Sequence, residues 1–157
     1  MRYLTTAPIS WDRVASLNRW ASRDGCGAVV TFVGVVRADH DGHRVVRALC
    51  YEAYPEMAER LIHQRVDEAQ ARWSLESVQV QHRFGLVEVG QISVVIVVAA
   101  QHRAQAYDAS QFLIERIKRD VPVWKREQYE DGTSQWITSA PELLEVTDPS
   151  GADHAHV

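Results

Sequence analysis

Two runs of mostly β-branched, apolar residues constrain the fold of this 157-residue chain most strongly. Residues 28–36 read A-V-V-T-F-V-G-V-V, and residues 92–100 read I-S-V-V-I-V-V-A-A. Because neither run alternates between apolar and polar side chains, both predict strands that are buried on both faces. The longest uninterrupted apolar stretch, 94–100, is far shorter than the roughly 20 residues that cross a bilayer, so we expect no membrane partner.

Three segments carry apolar residues at helical spacing. The first begins at the N-cap Ser10 and stops near Gly25, and the second opens at Pro55. The third runs from residue 103 to about 119 and is stopped by Pro122. The predicted apolar stripes are Trp11, Val14, Leu17 and Trp20 in the first helix; Met57, Leu61, Ile62, Val66, Ala69 and Trp73 in the second; and Ala106, Tyr107, Ser110, Leu113, Ile114 and Ile117 in the third.

The remaining segments predict further strands and the turns between them. Residues 37–44 form a polar turn, and Gly85 and Gly90 bracket a tight return. The four additional strands are at 45–53, 76–84, 123–129 and 134–138, of which the last two are paired through an E-D-G-T turn.

The order of these elements predicts the fold class and the domain organisation. Helices and strands do not alternate strictly, which favours an α+β fold over a doubly wound sheet. No repeat or linker divides residues 1–139, so we expect one domain there. Residues 140–157 are acidic and contain Pro and Gly, which predicts a flexible C-terminal tail.

Charge and cysteine content restrict the partners and the compartment. The formal net charge of −4 and the pI near 6.0 give no electrostatic support to a nucleic-acid partner. Residues 1–20 lack the apolar segment of a signal peptide, and Cys26 and Cys50 belong to no C-x-x-C pair. The sequence therefore predicts a cytoplasmic protein with reduced cysteines.

Two polar features near the first predicted turn need an explanation. His40 and His43, with neighbouring aspartates, match no tetrahedral zinc spacing, so a solvated turn is the better interpretation and no metal site is expected. Glu52 is a carboxylate on an apolar strand, so it must be paired or exposed at an edge. Arg37 and Arg103 are candidate partners.

Lysine usage is the first sign of chemistry. Lys118 and Lys125 are the only lysines, whereas the other fifteen basic side chains are arginines. A lysine can lose its proton and act as a nucleophile or base, which arginine cannot. Arg116, Arg119 and Arg126 flank the pair, so the cluster would also suit an anionic ligand. A chance effect of arginine bias explains two lysines about equally well when they are considered alone.

The sequence Gln-His-Arg occurs twice, and the two copies have different predicted roles. His102 and Arg103 follow a buried strand and start a helix, where backbone N–H groups favour anions. They are therefore candidate ligands for a negatively charged substrate group. His82 and Arg83 precede a glycine turn, where a structural role is the better interpretation.

Several of these segments together resemble the large, catalytic subunit of molybdopterin synthase, the MoaE family. The K-x-x-x-P-x-W-K-x-E pattern with an upstream H-R pair is specific. The matching segments are G-A-V-V-T-F-V-G-V-V-R at 27–37, Y-E-A-Y-P-E-M-A-E at 51–59, H-R-F-G at 82–85, H-R at 102–103 and K-R-D-V-P-V-W-K-R-E at 118–127, with D-G at 131–132 and Trp136.

The resemblance implies a fold, a reaction and partners. The family's fold is an α/β-hammerhead with an added antiparallel β subdomain. Its members convert precursor Z, a cyclic pyranopterin monophosphate, to molybdopterin by sulfur transfer that forms the dithiolene. The sulfur is carried as a thiocarboxylate on the C-terminal Gly-Gly of a small ubiquitin-like subunit. The expected assembly is a homodimer within a heterotetramer, and the reaction needs no metal or other cofactor.

The resemblance also assigns residues. Lys118 and Lys125 match the two catalytic lysines of the family. Two departures concern anion contacts, since many relatives have a basic residue where this chain has Val35, and some have arginine where it has Gln135. The implied substrate-binding residues are Val35, Val36, Arg37, His102, Arg103, Arg126 and Glu127.

Two other functions remain compatible with the residues themselves. A non-catalytic module that binds an anion or a ubiquitin-like tail would bind tightly without turnover, and Lys-to-Arg changes would be mild. A Schiff-base lyase acting on a phosphorylated carbonyl compound would also use a reactive lysine. Borohydride trapping with simple sugar phosphates would separate the lyase from sulfur transfer.

Overall fold

The elements form two sheets and three helices in a computed structural model, which describes residues 2–22, 25–38, 40–41 and 43–137. In chain order they are β1 (Leu4–Thr5), α1 (Trp11–Ala21), β2 (Ala28–Val35), β3 (His40–Asp41), β4 (Arg44–Ala53), α2 (Pro55–Arg72), β5 (Leu75–Arg83), β6 (Gly85–Glu88), β7 (Ile92–Ala100), α3 (Arg103–Asp120), β8 (Val123–Tyr129) and β9 (Ser134–Ile137). The predicted α+β class is confirmed. The tail predicted for 140–157 lies outside the described residues, so the domain boundary stays a prediction.

The first sheet has the order β1-β5-β7-β2 and is organised around β7. Every residue of β7 is buried, which confirms the prediction of a strand covered on both faces. Val94, Ile96 and Val98 pack in the cluster that includes the buried faces of α2 and α3. The alternate residues Val95 and Val97 pack against α1. The sheet is therefore the middle layer between helices, as the two-residue repeat of a strand requires.

β2 differs from the prediction made for it. It ends at Val35, and its residues are half-buried or exposed rather than fully buried. Its register runs from Ala28 opposite Ala100 to Val35 opposite Ile92, with an irregularity after Gly34. Among the described strands β2 pairs with β7 alone, so it forms an edge of the sheet. An apolar run indicates a strand without a polar face, but it does not distinguish an edge strand from a central strand.

The three predicted helices are confirmed, but part of each apolar stripe was assigned wrongly. Ser10 caps α1 as predicted, with its Oγ accepting from the N–H of Arg13 at 3.1 Å. Trp11 and Trp20 are 66% and 49% exposed, and Tyr107 on α3 is 63% exposed. Large apolar residues beside the buried stripe therefore lie at the surface. The buried positions are Val14, Leu17 and Ala21 in α1; Ala58, Ile62, Val66 and Ala69 in α2; and Ala106, Ala109, Ser110, Phe112, Leu113 and Ile117 in α3.

The second sheet is antiparallel and has the order β3-β4-β8-β9, with β6 paired to β4 beside β3. The predicted strands β4, β5, β8 and β9 are confirmed within one or two residues. Two short strands were missed, because β3 lies in the predicted polar turn and β6 in the predicted glycine return. Segments of two and four residues carry too little periodicity to be recognised.

The N-terminal strand β1 is held against α2 by one carboxylate. Glu59 accepts hydrogen bonds from the backbone N–H groups of Tyr3 and Leu4, at distances of 2.8 to 3.0 Å. Cys26 and Cys50 are both free thiols in this structure. No helix within the described ranges is long and apolar enough to span a membrane.

Candidate functional site

The two lysines lie on different elements that meet at one end of the first sheet. Lys118 is exposed in the last turn of α3, and Lys125 is half-buried on β8. The chain turns between them through Val121 and Pro122. Neither ammonium group makes a hydrogen bond or ion pair with any residue that the structure describes. Both groups are therefore available to a ligand.

Tyr51 and His82 lie near the two lysines and contact each other. Tyr51 on β4 is directly opposite Lys125 on β8, so the two side chains share one face of the second sheet. The Tyr51 ring meets the His82 ring edge-on, with 5.4 Å between centroids and an interplanar angle of 82°. Burial lowers the pKa of His82; the hydrogen bond to the carbonyl of Arg83 opposes that shift, and the nearby charge of Lys118 adds to it.

A chain of polar contacts joins this pair to the end of β2. Burial raises the pKa of Tyr51, while a hydrogen bond with the side chain of Ser93 lowers it. The Ser93 hydroxyl in turn donates to the carbonyl of Gly34 at 3.2 Å. The lysine end of the sheet is therefore also the end at which β2 finishes.

Residues 35–37, which the resemblance assigns to substrate binding, have unequal access to a ligand. Val35 is 44% exposed, whereas Val36 is 2% exposed. The N–H of Val36 donates to Gln91 and its carbonyl accepts from Gly90. Arg37 is exposed and already takes part in an intramolecular contact. A ligand can reach the side chains of Val35 and Arg37, while Val36 contributes to the local backbone structure.

Successive side chains of β8 point to opposite faces of the sheet, so Arg126 lies on the other face from Lys125 and Glu127. Lys125 and Glu127 point to one face, and Glu127 accepts a hydrogen bond from the Tyr129 hydroxyl at 2.8 Å. Arg126 points to the other face, where its guanidinium lies 5.4 Å from the Trp136 ring centroid. Arg126 is also 3.9 Å from Glu52, a residue for which the sequence had suggested other partners. The prediction that Arg37 or Arg103 pairs with Glu52 finds no support here.

The predicted cluster of positive charge around Lys118 is largely neutralised by carboxylates. Arg116 is 3.7 Å from Glu68 on α2 and 3.5 Å from Asp120. Arg119 donates to Asp120 at 2.8 Å, and this hydrogen bond is the main cause that lowers the pKa of Asp120. Arg116 therefore links α3 to α2, whereas Arg119 pairs within α3. They do not form a free anion site, which leaves the lysines as the available cations.

His102 and Arg103 lie at the opposite end of α3. His102 is the N-cap residue, both side chains are exposed, and they border an open depression with Gly27 and Gln101. Gly27 is required there, because a Cβ atom on it would lie 2.2 Å from the carbonyl oxygen of Gln101. At 1.5 Å per residue, Arg103 is roughly 22 Å from Lys118 along the helix. One chain therefore does not bring the predicted anion ligands and the lysines together.

The sequence interpretation missed the groups between the lysines. Tyr51 and Ser93 were not singled out, and His82 was given a structural role. Arg83 does have such a role, since its guanidinium donates to Gln91 at 2.7 Å and to the carbonyl of Leu86 at 2.9 Å. Only the pairing register of β4 with β8 could have identified Tyr51, and sequence spacing does not supply that register.

Comparisons with known proteins show which family the chain resembles. The family model described as MoaE protein matches residues 4–120, a span that includes Lys118 and ends before Lys125. The molybdopterin synthase catalytic subunit of Thermoplasma volcanium is 47% identical over 114 residues, which cover 73% of this chain and 82% of that protein.

Solved structures extend the similarity to the fold. The crystal structure of molybdopterin synthase from Staphylococcus aureus has a TM-score of 0.79 and 36% identity, covering 87% of this chain and 96% of that chain. A complex of subunits 1 and 2 of molybdopterin-converting factor from Helicobacter pylori has a TM-score of 0.72. Its identity is 19%, over 88% of this chain and 90% of that chain, so it is evidence for the fold alone.

Proposed function

Because the chain belongs to the MoaE family, we propose that it is the catalytic subunit of a molybdopterin synthase, a sulfurtransferase of molybdenum cofactor biosynthesis. In this reaction, sulfur passes from the thiocarboxylated tail of a small ubiquitin-like subunit to precursor Z and forms the dithiolene of molybdopterin. The observation that carries the proposal is the pair of lysines without partners among the described residues, on either side of Tyr51 and His82.

Lys118 and Lys125 have the catalytic role in this proposal. A thiocarboxylate and a cyclic phosphate are both anions, so ammonium groups free of internal ion pairs favour their approach. A lysine that loses its proton can act as a base or attack a carbonyl or acyl centre, which arginine cannot do. The presence of lysine rather than arginine at these two positions supports chemistry over simple charge.

Arg37, His102 and Arg103 are the proposed ligands of the substrate phosphate. The exposed His102–Arg103 pair begins α3, where free backbone N–H groups favour an anion. A pterin-sized substrate cannot extend over the roughly 22 Å between Arg103 and Lys118 of one chain. The proposed site therefore requires His102 and Arg103 from a second copy.

The edge of β2 is the proposed contact between the two copies. β2 begins beside Ala100, close to His102, and ends beside Ile92, at the lysine end of the sheet. Two-fold antiparallel pairing of this edge with its own copy would place the start of one β2 beside the end of the other. That arrangement supports the proposed homodimer, because each lysine pair would receive Arg103 from the other chain.

The small subunit is the proposed sulfur donor, and two of them bound to the dimer would form a heterotetramer. The name of the Helicobacter pylori complex pairs two subunits of a molybdopterin-converting factor, one of which shares this fold. We propose that the donor's Gly-Gly tail ends near Lys118 and Lys125. Val35 and Glu127 remain secondary candidates for substrate binding, and Arg126 is a weaker one because it points away from the lysine face.

Reconstitution tests the proposed function. The chain is incubated with precursor Z and a thiocarboxylated small subunit, and molybdopterin is measured. We expect molybdopterin in the complete mixture and none when the thiocarboxylate is replaced by a carboxylate. Tight binding of the small subunit without product would instead support a non-catalytic binding module and contradict the proposal.

A further inference from the structure

We propose that Asp120 is a positioning residue for Lys118. Its carboxylate, paired with Arg65 of α2, fixes the last turn of α3, from which Lys118 projects. The inference rests on the proposed function, since it concerns a lysine that is given a catalytic role there. Asp120 lies between Lys118 and Pro122, at a position that the K-x-x-x-P-x-W-K-x-E pattern leaves open, so the resemblance assigns it no role.

The position of Lys118 depends on the backbone that carries it. Its side chain is exposed, and its ammonium group has no hydrogen bond or ion pair with any residue that the structure describes. α3 ends at Asp120, two residues beyond Lys118, and the N–H of Val121 closes the last turn by donating to the carbonyl of Ile117 at 3.2 Å. A contact that fixes this turn therefore also fixes the point from which the Lys118 side chain leaves the helix.

Asp120 places a negative charge where an α-helix disfavours one. The C-terminal end of a helix carries a partial negative charge from its free carbonyl groups, so cations are favoured in the last turn and carboxylates are not. Lys118 and Arg119 follow that preference, whereas Asp120 does not. Helix formation therefore gives no reason for an aspartate at this position, and the reason must lie in what its carboxylate contacts.

Three guanidinium groups surround the Asp120 carboxylate, whose side chain is only 20% exposed. Arg65 of α2 is 3.3 Å from Oδ2, and Arg116 is 3.5 Å from the same oxygen. Arg119 donates to Oδ1 at 2.8 Å, and this hydrogen bond contributes most to lowering the pKa of Asp120, so the carboxylate stays charged at neutral pH. Arg116 and Arg119 belong to α3 itself, whereas Arg65 joins the end of the helix to α2.

Among the described ion pairs between the two helices, the one between Arg65 and Asp120 lies nearest the end of α3. The other, between Glu68 and Arg116 at 3.7 Å, is one turn earlier on α3. Glu68 also directs Arg65, whose Nη1 donates to it at 2.6 Å. Beyond Arg116, the end of α3 is thus held by the Asp120 pair on its polar side and by apolar packing on its buried side.

Hydrogen exchange tests whether the pair fixes the turn, and this test does not depend on sulfur transfer. Asp120→Asn keeps the shape of the side chain but removes its charge, and Arg65→Gln removes the partner. We expect the Val121 amide, which closes the last turn, to exchange about 10-fold faster in each variant. Phe112→Leu is the control, because it loosens the packing of α3 at a ring that contacts Trp73 of the α2 end and leaves the ion pair intact.

Two outcomes of the exchange measurement would overturn the proposal. The first is an unchanged exchange rate of the Val121 amide in Asp120→Asn. The second is an equal acceleration in Phe112→Leu, which would show that general loosening of the helix, rather than loss of the ion pair, frees the turn.

Activity tests whether the fixed turn positions Lys118. In single-turnover assays with saturating precursor Z and small subunit, we expect Asp120→Asn and Arg65→Gln each to lose about 10-fold in rate, with unchanged affinity for the small subunit. The double variant should lose no more than either single variant, because both residues act through one pair. Asp120→Glu retains the carboxylate and should keep most of the activity.

Stability separates positioning from a merely structural role. Phe112→Leu should lower the urea midpoint at least as much as Asp120→Asn does, yet keep a nearly normal rate. Additive losses in the double variant, or rates that follow the urea midpoint across all variants, would contradict positioning. A wild-type chain that makes no molybdopterin would refute the proposed function, while the exchange measurement would still decide whether Asp120 fixes the turn.

Discussion

At the scale of single residues, the proposed chemistry depends on a difference between lysine and arginine. Lys118→Arg keeps the positive charge but removes a group that can give up a proton. We predict that single-turnover formation of molybdopterin falls by at least about 100-fold, the usual scale for losing a positioned base. Arg119→Lys is the control, because it makes the reverse change one position away, in an exposed side chain that pairs with Asp120. Near-normal turnover by Lys118→Arg would reduce Lys118 to an electrostatic role.

His82 also predicts how stability depends on pH. Its pKa in the folded chain lies below the ordinary value of 6.5, so the unfolded chain takes up a proton first as the pH falls. Stability is therefore lost as the pH drops from about 6.5 toward the folded-state pKa. We predict that His82→Gln shows a smaller decrease in urea midpoint between pH 7.5 and 5.5 than the wild type. His63→Gln should keep the wild-type decrease. If the urea midpoint of His82→Gln fell as much as that of the wild type, His82 would not be the source of this pH dependence.

At the scale of elements, Glu59 is the contact that holds β1 to α2. Its carboxylate accepts from two backbone N–H groups, those of Tyr3 and Leu4. Hydrogen bonds to a charged group contribute about 1.5–3 kcal/mol, so Glu59→Ala should lower the free energy of unfolding by about that amount. Hydrogen exchange of the Tyr3 and Leu4 amides should also become faster. Glu115→Ala, which removes an exposed carboxylate on α3, should change stability far less.

The positions of the helices and strands were largely predictable from the sequence, but the buried faces of some helices were not. The three helices and β7 carry strong periodic signals, and their predicted positions are confirmed. Trp11 and Trp20 were placed in the buried stripe because large apolar side chains fit the spacing, yet Val14, Leu17 and Ala21 form the covered face. Local periodicity identifies a helix, whereas the covered face depends on what packs against it.

The sequence draws attention to the two lysines of the candidate site, but it does not predict what lies around them. Lys118 and Lys125 stand out because they are the only lysines among the basic residues, and the sequence alone shows this. Tyr51 lies opposite Lys125 only because of the register of β4 with β8, and His82 is brought to the same place by its contact with the Tyr51 ring. The position of Arg126 likewise follows from alternation along β8. These are register and packing properties, and residue spacing does not determine them.

At the scale of the whole molecule, the two halves of the proposed site lie at opposite ends of α3. Lys118 is in its last turn and Arg103 in its first. A dimer formed along the β2 edge would bring Arg103 of one copy to the lysines of the other. Each dimer would then contain two sites, and each site would use residues from both chains. Neither chain of the proposed dimer would then contain a complete site on its own.

Complementation between two impaired variants tests whether each site is shared between two chains. A Lys118→Arg chain and an Arg103→Ala chain are mixed, exchanged into dimers, and assayed with limiting precursor Z and the thiocarboxylated small subunit. Random exchange produces mixed dimers in which one of the two sites has both Lys118 and Arg103. We predict recovery of about a quarter of wild-type molybdopterin formation. No recovery, when mass measurement confirms that mixed dimers have formed, would contradict a site shared between chains.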